Sequence, residues 1–332
     1  MKVVAAVDKF RGSATAAEVA NAVGQACWER GHDCVEIPMS DGGDGLIDVL
    51  GGANRTSRVT GPLGDEISAE WRLHRGTAVI EMARASGLDV AGGAEHNDPM
   101  GATTAGTGEL IDAALTAGAK RIIVGLGGSA TTDGGLGALQ ALRAPQRLKA
   151  VELLVACDVT TRFVDAARVF GPQKGATPAQ VRLLTARLEQ LAGRYRDEFG
   201  VDVGEIDGSG AAGGIGGLLA ALGGSLVPGF ELVADEVDLY DHLDGAGFVV
   251  TGEGHLDEQS FDGKVVGGVA GIAAELAVPC AAVVGIADDA VRGRIRHVAI
   301  ADEYGADRAW REPLWCIERA AGTLIDEIVG GN

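Results

Sequence analysis

A run of glycines, hydroxyl side chains and one acid follows the apolar segment Arg121–Gly125. It reads Gly127-Gly-Ser-Ala-Thr-Thr-Asp-Gly-Gly135. Because glycine has no Cβ, several backbone N–H groups can converge on one anion in such a loop, which indicates a phosphorylated ligand. The run is neither a Walker A loop, since no Lys-Ser/Thr follows, nor the spaced Gly-x-Gly-x-x-Gly of dinucleotide folds. A plain turn between a strand and a helix beginning near Gly134 is the alternative.

Acids and lysines beside glycines follow several other strand-like segments. The acids are Asp41, Asp44, Asp133, Glu253 and Asp257. Ligands of α/β proteins bind beyond the carboxyl ends of the strands, where such loops collect. These acids could supply oxygen ligands to Mg²⁺, and Lys174 and Lys264 could neutralise phosphate oxygens. For any single acid, a turn residue that bonds its own backbone is the simpler interpretation, but turn chemistry alone does not require five of them.

The composition bounds the class of protein. A chain of 332 residues, 46% of them hydrophobic, can form two domains. The 28 basic and 47 acidic residues give a formal net charge of −19, which repels nucleic acid and anionic membranes. No apolar run reaches the roughly 20 residues of a membrane-spanning helix. The first residues resemble a strand rather than a signal peptide, so we expect a cytoplasmic protein with neither nucleic-acid nor membrane partners.

Apolar strand candidates alternate with amphipathic helices along most of the chain, which predicts an α/β fold. The predicted strands are 2–7, 34–37, 77–81, 121–125, 152–157, 247–251 and 279–284. Helices are predicted at 15–30 and 177–199, each beginning with a capping-box pattern. Residues 55–81 contain three strand-like pieces without a helix, so a mixed or antiparallel region begins there, and we place the first domain boundary at this region. The five cysteines are scattered and predicted to be reduced.

Seven blocks together resemble the type I glycerate kinase family, in the family's order. They are Asp8-Lys-Phe-Arg-Gly-Ser13, Pro38-Met-Ser-Asp-Gly-Gly-Asp-Gly45, Gly127–Gly135, Ala156-Cys-Asp-Val-Thr160, Phe170-Gly-Pro-Gln-Lys-Gly-Ala176, Gly208-Ser-Gly-Ala-Ala-Gly-Gly214, and Thr251-Gly-Glu-Gly254 with Asp257 and Gln259. The resemblance extends from Lys2 to about Gly285. It implies an enzyme that uses ATP and Mg²⁺ to phosphorylate a small hydroxy acid, D-glycerate, to 2-phosphoglycerate.

The resemblance also implies two α/β domains with a cleft between them that holds the active site. One domain would be flavodoxin-like and formed from both chain ends, residues 1–62 and 266–332. The other, residues 63–265, would carry a mixed sheet and the Gly-rich phosphate loop.

Residue roles follow from the same resemblance. The implied catalytic residues are Asp8, Arg11, Asp41, Asp133, Lys174, Glu253 and Lys264. The implied ATP contacts are Gly127, Gly128, Ser129, Thr131 and Gly134, and the implied metal ligands are Asp133, Asp41, Glu253 and Asp257. Phosphoryl transfer needs aligned reactants and neutralised charge, which these residue types can provide. Arg11 suits the glycerate carboxylate, because its planar guanidinium can bind both oxygens at once.

The chain departs from the family at several positions. Arg11 replaces a usual lysine, Asp44 a usual glutamate and Thr132 a usual asparagine, and the segment after Thr160 is shortened. These changes concern the binding site of the acceptor substrate more than that of the phosphate donor. An alternative is therefore a kinase that acts on a related hydroxy acid. A non-catalytic ligand-binding homologue and a nicotinamide-dependent oxidoreductase are further alternatives, although the chain lacks a convincing dinucleotide motif. The sequence does not determine whether the protein forms a homo-oligomer.

Overall fold

The structure is a computed structural model that describes residues 1–330. Its strands are β1 (Lys2–Val7), β2 (Asp33–Pro38), β3 (Arg55–Thr60), β4 (Glu66–His74), β5 (Thr77–Glu81), β6 (Arg121–Gly125), β7 (Glu152–Ala156), β8 (Ser225–Val227), β9 (Phe248–Leu256), β10 (Cys280–Ala287) and β11 (His297–Ala299). Its α-helices are α1 (Ala16–Glu29), α2 (Leu46–Val49), α3 (Ala83–Ser86), α4 (Ala105–Thr116), α5 (Leu136–Ala141), α6 (Ala166–Phe170), α7 (Pro178–Phe199), α8 (Ile215–Ala221), α9 (Gly229–Glu236), α10 (Leu239–Leu243), α11 (Val265–Glu275), α12 (Ile300–Tyr304), α13 (Ala306–Arg311) and α14 (Pro313–Gly330). Short 3₁₀ turns connect several of them.

The chain divides into two compact units. The first consists of residues 1–41 together with the chain from Gly229 onward, and the second is the continuous segment Gly42–Pro228. These limits correct the predicted boundaries at 62/63 and 265/266. The physical reason is strand pairing, because β9 pairs with β1 on one side and β10 on the other and therefore belongs to the first unit.

The first unit contains a five-stranded parallel sheet with the order β11-β10-β9-β1-β2. Numbered within the unit, this is the 2-1-3-4-5 order of flavodoxin-like folds, as expected. Alternate residues of the buried strands face opposite sides. Val3, Ala5 and Val7 pack with α1 and α14, whereas Val284 packs with α11 on the other face. Strand β2 lies on one side of β1, and the later strands β9 to β11 lie on the other side. The strand order therefore reverses between β1 and β9, and ligands of such folds bind at this point.

The second unit contains a six-stranded sheet with the order β3-β4-β5-β6-β7-β8. The pairs β3–β4 and β4–β5 are antiparallel, and β5 to β8 are parallel. This confirms the predicted change to a mixed sheet within residues 55–81. The parallel strands carry apolar side chains such as Ile80, Ile122 and Val155, all fully buried, which explains why they were recognisable as continuous apolar runs.

Both predicted capping boxes are present. Thr15 accepts from the amide of Glu18 at the start of α1, and Thr177 accepts from Gln180 at the start of α7. Each N3 side chain returns a hydrogen bond to the cap amide, so both helix starts are fixed locally. The five cysteines are free, as expected. No helix within residues 1–330 has the length and apolarity needed to cross a bilayer.

Candidate active site

The Gly-rich loop of the second unit leaves β6 after Gly125 and enters α5 at Leu136. An isolated antiparallel bridge fixes its first half: the Leu88 amide donates to the Gly128 carbonyl at 2.8 Å, and the Ala130 amide donates to Ser86 at 3.0 Å. Within residues 1–330, the amides of Gly127, Gly128 and Ser129 donate to no acceptor. Gly127, the first of the three, packs closely against the backbone of Gly43 and Asp44. Three consecutive uncommitted amides are suited to an anion.

Lys174 lies beneath this loop and is only 2% exposed. Its Nζ donates to Ser129 Oγ at 2.7 Å and to the Thr131 carbonyl at 2.6 Å. Burial lowers the pKa of Lys174 to about 7, and the nearby Asp133 carboxylate opposes that change. Lys174 is therefore placed next to the predicted phosphate loop, but it bonds the loop itself instead of extending into solvent.

Asp133 anchors the second half of the loop. Its Oδ2 accepts from the amide and hydroxyl of Thr104 at 2.9 and 2.8 Å and from the Gly137 amide at 3.1 Å. Its Oδ1 accepts from the Gly135 amide at 3.0 Å. The carboxylate thus satisfies N–H groups at the starts of α4 and α5, which otherwise have no partner within their helices. This is the role of a turn and cap residue, the simpler of the two interpretations of the sequence.

Two of the predicted ATP contacts face inward. Thr131 is fully buried, with its Oγ1 3.5 Å from the Ala212 carbonyl. Gly134 is buried as well, and its amide donates to the Gly213 carbonyl at 3.0 Å. These residues shape the loop, whereas Gly127, Gly128 and Ser129 retain amides for a ligand.

Sequence reasoning missed three polar residues that position the loop and its neighbours. Thr104 is the N-cap residue of α4, a position that sequence can signal, but its Oγ1 makes no cap bond to α4 and instead accepts from the Ala138 amide of α5 at 2.9 Å. Glu81 ends β5 and is buried; its Oε1 accepts from the Ile47 amide at 2.7 Å and its Oε2 from Arg84 at 3.0 Å. Asn97 donates to the carbonyls of Ala130 and Lys174. No sequence motif marks Glu81 or Asn97.

In the first unit, two carboxyl groups lie side by side on adjacent parallel strands: Asp8 directly follows β1, and Glu253 lies within β9. Val7 pairs with Gly252, and the Asp8 amide donates to the Gly252 carbonyl at 2.9 Å, which brings Asp8 beside Glu253. Burial raises the pKa of Asp8 to about 6 and that of Glu253 to about 7, and the negative charge of Asp8 raises the pKa of Glu253 further. Glu253 is 8% exposed, and its Oε1 has no hydrogen-bond partner among the described residues. The pair lies at the reversal point of the sheet.

Lys264 and Asp41 complete this group. Lys264 is the N-cap residue of α11, and its positive charge lowers the pKa of both Asp8 and Glu253. Asp41 follows β2, and its charge contributes to the raised pKa of Asp8. The structure therefore brings together four predicted residues around the carboxyl ends of β1 and β9.

Arg11 and Asp257 lie at the margin of this group. Arg11 is exposed and forms no hydrogen bond or ion pair with residues 1–330, and its backbone packs against Gly254. Asp257 caps the 3₁₀ turn Glu258–Phe261, where its Oδ1 accepts from the Ser260 amide at 3.0 Å. One oxygen of Asp257 is thus committed to backbone capping.

The predicted metal ligands do not form a preassembled cage. Asp133 belongs to the second unit and Asp41, Glu253 and Asp257 to the first. Within residues 1–330, no three His, Cys, Asp or Glu side chains are grouped so as to hold a metal ion. Mg²⁺ commonly keeps several waters and binds through one or two carboxylates plus substrate phosphates. The carboxylates present are compatible with that mode of binding, but not with a cage made of protein alone.

Comparison with known proteins supports the same conclusion as the seven sequence blocks. The family model described as "Glycerate kinase family" matches residues 3–146 and 143–306. The protein named glycerate 2-kinase from Escherichia coli (strain K12) is 40% identical, with 99% of this chain and 94% of that protein covered. A glycerate kinase from Bacillus subtilis (strain 168) is 39% identical, with 86% of this chain and 85% of that protein covered.

A solved structure agrees with these sequence matches. The crystal structure of putative glycerate kinase 2 from Salmonella typhimurium LT2 superposes with a TM-score of 0.83 at 34% identity, and the match covers 98% of both chains. Both the predicted family and the predicted enzyme class are confirmed. The chain belongs to the glycerate kinase family.

Proposed function

We propose that this protein transfers the γ-phosphoryl group of ATP to a hydroxyl of D-glycerate. The observation that carries the proposal is the run of three uncommitted amides, Gly127 to Ser129, above the buried cation of Lys174. In a chain of this family, such a loop supports phosphate binding. Neutralising and aligning the phosphoryl group is most of what an enzyme must do for this reaction.

On the donor side, the loop amides bind phosphate oxygens, and Lys174 provides positive charge from the buried side of the loop. Asp41 is the carboxylate we assign to Mg²⁺, which would neutralise phosphate charge when bound. Asp133 contributes indirectly, because its four hydrogen bonds hold the loop and the starts of α4 and α5 in place.

On the acceptor side, Glu253 accepts the proton of the attacking hydroxyl. A general base is most effective when its pKa is close to the working pH, and burial raises the pKa of Glu253 to about 7. Lys264, at the positive N-terminal end of α11, and Arg11, which has no partner among the described residues, are the cations we assign to the substrate carboxylate.

The finer identity of the reaction rests on the relatives. The Escherichia coli protein is named a glycerate 2-kinase, so we propose 2-phosphoglycerate as the product. Arg11 stands where the family usually has lysine, and this departure keeps a related hydroxy acid as the alternative acceptor. The cytoplasmic location stays a prediction, and the oligomeric state is not assigned.

The test is a coupled ADP-release assay with Mg²⁺ and D-glycerate, L-glycerate, tartronate or erythronate. We expect turnover with D-glycerate, and phosphorus NMR of the product distinguishes 2-phosphoglycerate from 3-phosphoglycerate. ATP binding without acceptor-dependent ADP release would instead favour a non-catalytic ligand-binding protein. Preferential binding of NADH over ATP would favour the oxidoreductase.

A further inference from the structure

A cavity of about 470 Å³ opens in the second unit beside the Gly-rich loop. Three segments form its walls: Pro99–Thr103 before α4, the stretch from Thr132 to Gln140 at the loop–α5 junction, and one face of α7. Its volume falls within the range of small-molecule sites. None of the roles proposed above uses it.

The lining divides into an apolar floor and a polar rim. Met100, Leu136 and Leu188 belong to the floor, and Leu188 is almost fully buried in the core. Exposed Gln190 and Arg187 belong to the rim, and Arg187 is held across the opening by a 2.9 Å hydrogen bond to the Met100 carbonyl. An apolar floor with amide and guanidinium groups above it matches a flat heteroaromatic ring that carries hydrogen-bonding edges.

The cavity and the uncommitted amides belong to one loop. Thr132 and Asp133 line the cavity, and Gly128 lies only four residues earlier. A chain of four residues spans at most about 14 Å, so the two sites are close enough for one elongated ligand. Phosphates at the amides and an aromatic group in the cavity together describe a nucleoside triphosphate.

We infer that this cavity binds the base and ribose of ATP. The inference rests on the proposed ATP-dependent function and adds a second part to the donor site. Helix α7, which no family motif marks beyond the block that precedes it, then supplies the residues that distinguish a nucleotide from a bare polyphosphate.

Adjacent positions on α7 provide a matched pair of variants. Gln190 lines the cavity, whereas Glu189 is also exposed but does not line it, because successive helical residues point about 100° apart. Gln190→Trp should weaken ATP binding in calorimetry at least tenfold, while tripolyphosphate, which lacks a base, should bind within twofold of wild type. Glu189→Trp should leave both affinities unchanged.

The outcomes separate the inference from the function on which it rests. Equal ATP affinities of wild type and Gln190→Trp would overturn the cavity assignment while leaving the kinase intact. Failure of the wild type to bind ATP at all would overturn both. As a second measurement, a photoreactive azido-adenine analogue of ATP should label peptides from Pro99–Thr103 or α7, and labelling confined to other segments would also overturn the assignment.

Discussion

Replacement of Lys174 by methionine separates the electrostatic role of this side chain from its packing role. Burial lowers its pKa from 10.5 to about 7. At 1.36 kcal/mol per unit, holding the charged form costs about 5 kcal/mol at neutral pH. Methionine avoids that cost but leaves Ser129 Oγ and the Thr131 carbonyl without their donor, a loss of about 1.5–3 kcal/mol for each bond to a charged group. The two effects offset each other, so at pH 7 we expect the thermal unfolding temperature of Lys174→Met to lie within a few degrees of that of the wild type.

The lowered pKa of Lys174 also determines how the stability of the wild type changes with pH. A lysine whose pKa is lower in the folded state releases its proton before the unfolded chain does, so stability rises as the pH increases from about 7 toward 10.5. From pH 7 to pH 9 wild type should gain about 2–3 kcal/mol relative to Lys174→Met. The variant should also lose turnover at least tenfold, because the phosphate loop lacks its cation.

Urea unfolding at both pH values and the ADP-release assay measure these effects. A stability difference that does not change with pH would show that Lys174 is not held at a lowered pKa. Normal turnover in the variant would show that the loop does not use this charge.

Three further substitutions test the site. Asp133→Asn should destabilise the protein by about 2–4 kcal/mol in urea unfolding, because its amide group cannot accept all four hydrogen bonds, whereas unchanged stability would contradict the anchoring role. Glu253→Gln should abolish most turnover. In Mg²⁺-free buffer it should also stabilise the protein at pH 8 but not at pH 4. The reason is the raised pKa of Glu253, because of which wild-type stability falls as the pH rises from about 4.5 through about 7. No gain at pH 8 would show that the buried carboxyl is not strained by ionisation. Arg11→Lys should raise the acceptor KM or change acceptor preference and leave the ATP KM within a few fold, and the reverse pattern would place Arg11 with the nucleotide.

The strands were predictable because their apolar residues form continuous buried runs. Strands β1, β5 and β6 have the bounds expected from the sequence. The unit boundary was not predictable, since the chain leaves the first unit between Asp41 and Gly42, inside the glycine-rich block Pro38–Gly45 rather than in a linker. Pairing of β9 with β1 depends on contacts between distant parts of the chain, which no local pattern reports.

The positions of the site were predictable to a greater degree than the roles of its residues. Glycines marked the loop, because only they permit its path; Gly128 and Gly135, for example, have φ of 65° and 82°. Whether Asp133 faces a metal or backbone amides depends on the direction of neighbouring N–H groups, which composition does not encode. The same holds for Lys174, whose burial beneath the loop is a tertiary property.

The insertion of one unit within the other has a consequence for biosynthesis. Residues 42–228 form a continuous segment whose own sheet is complete once β8 has been synthesised. The central strand β9 of the first unit begins only at Phe248, so β1, which pairs with β2 on one side, must wait for its other partner, more than 200 residues further along the chain. Since domains generally fold as units during synthesis, the inserted unit can fold on the ribosome while the surrounding sheet is still missing its centre.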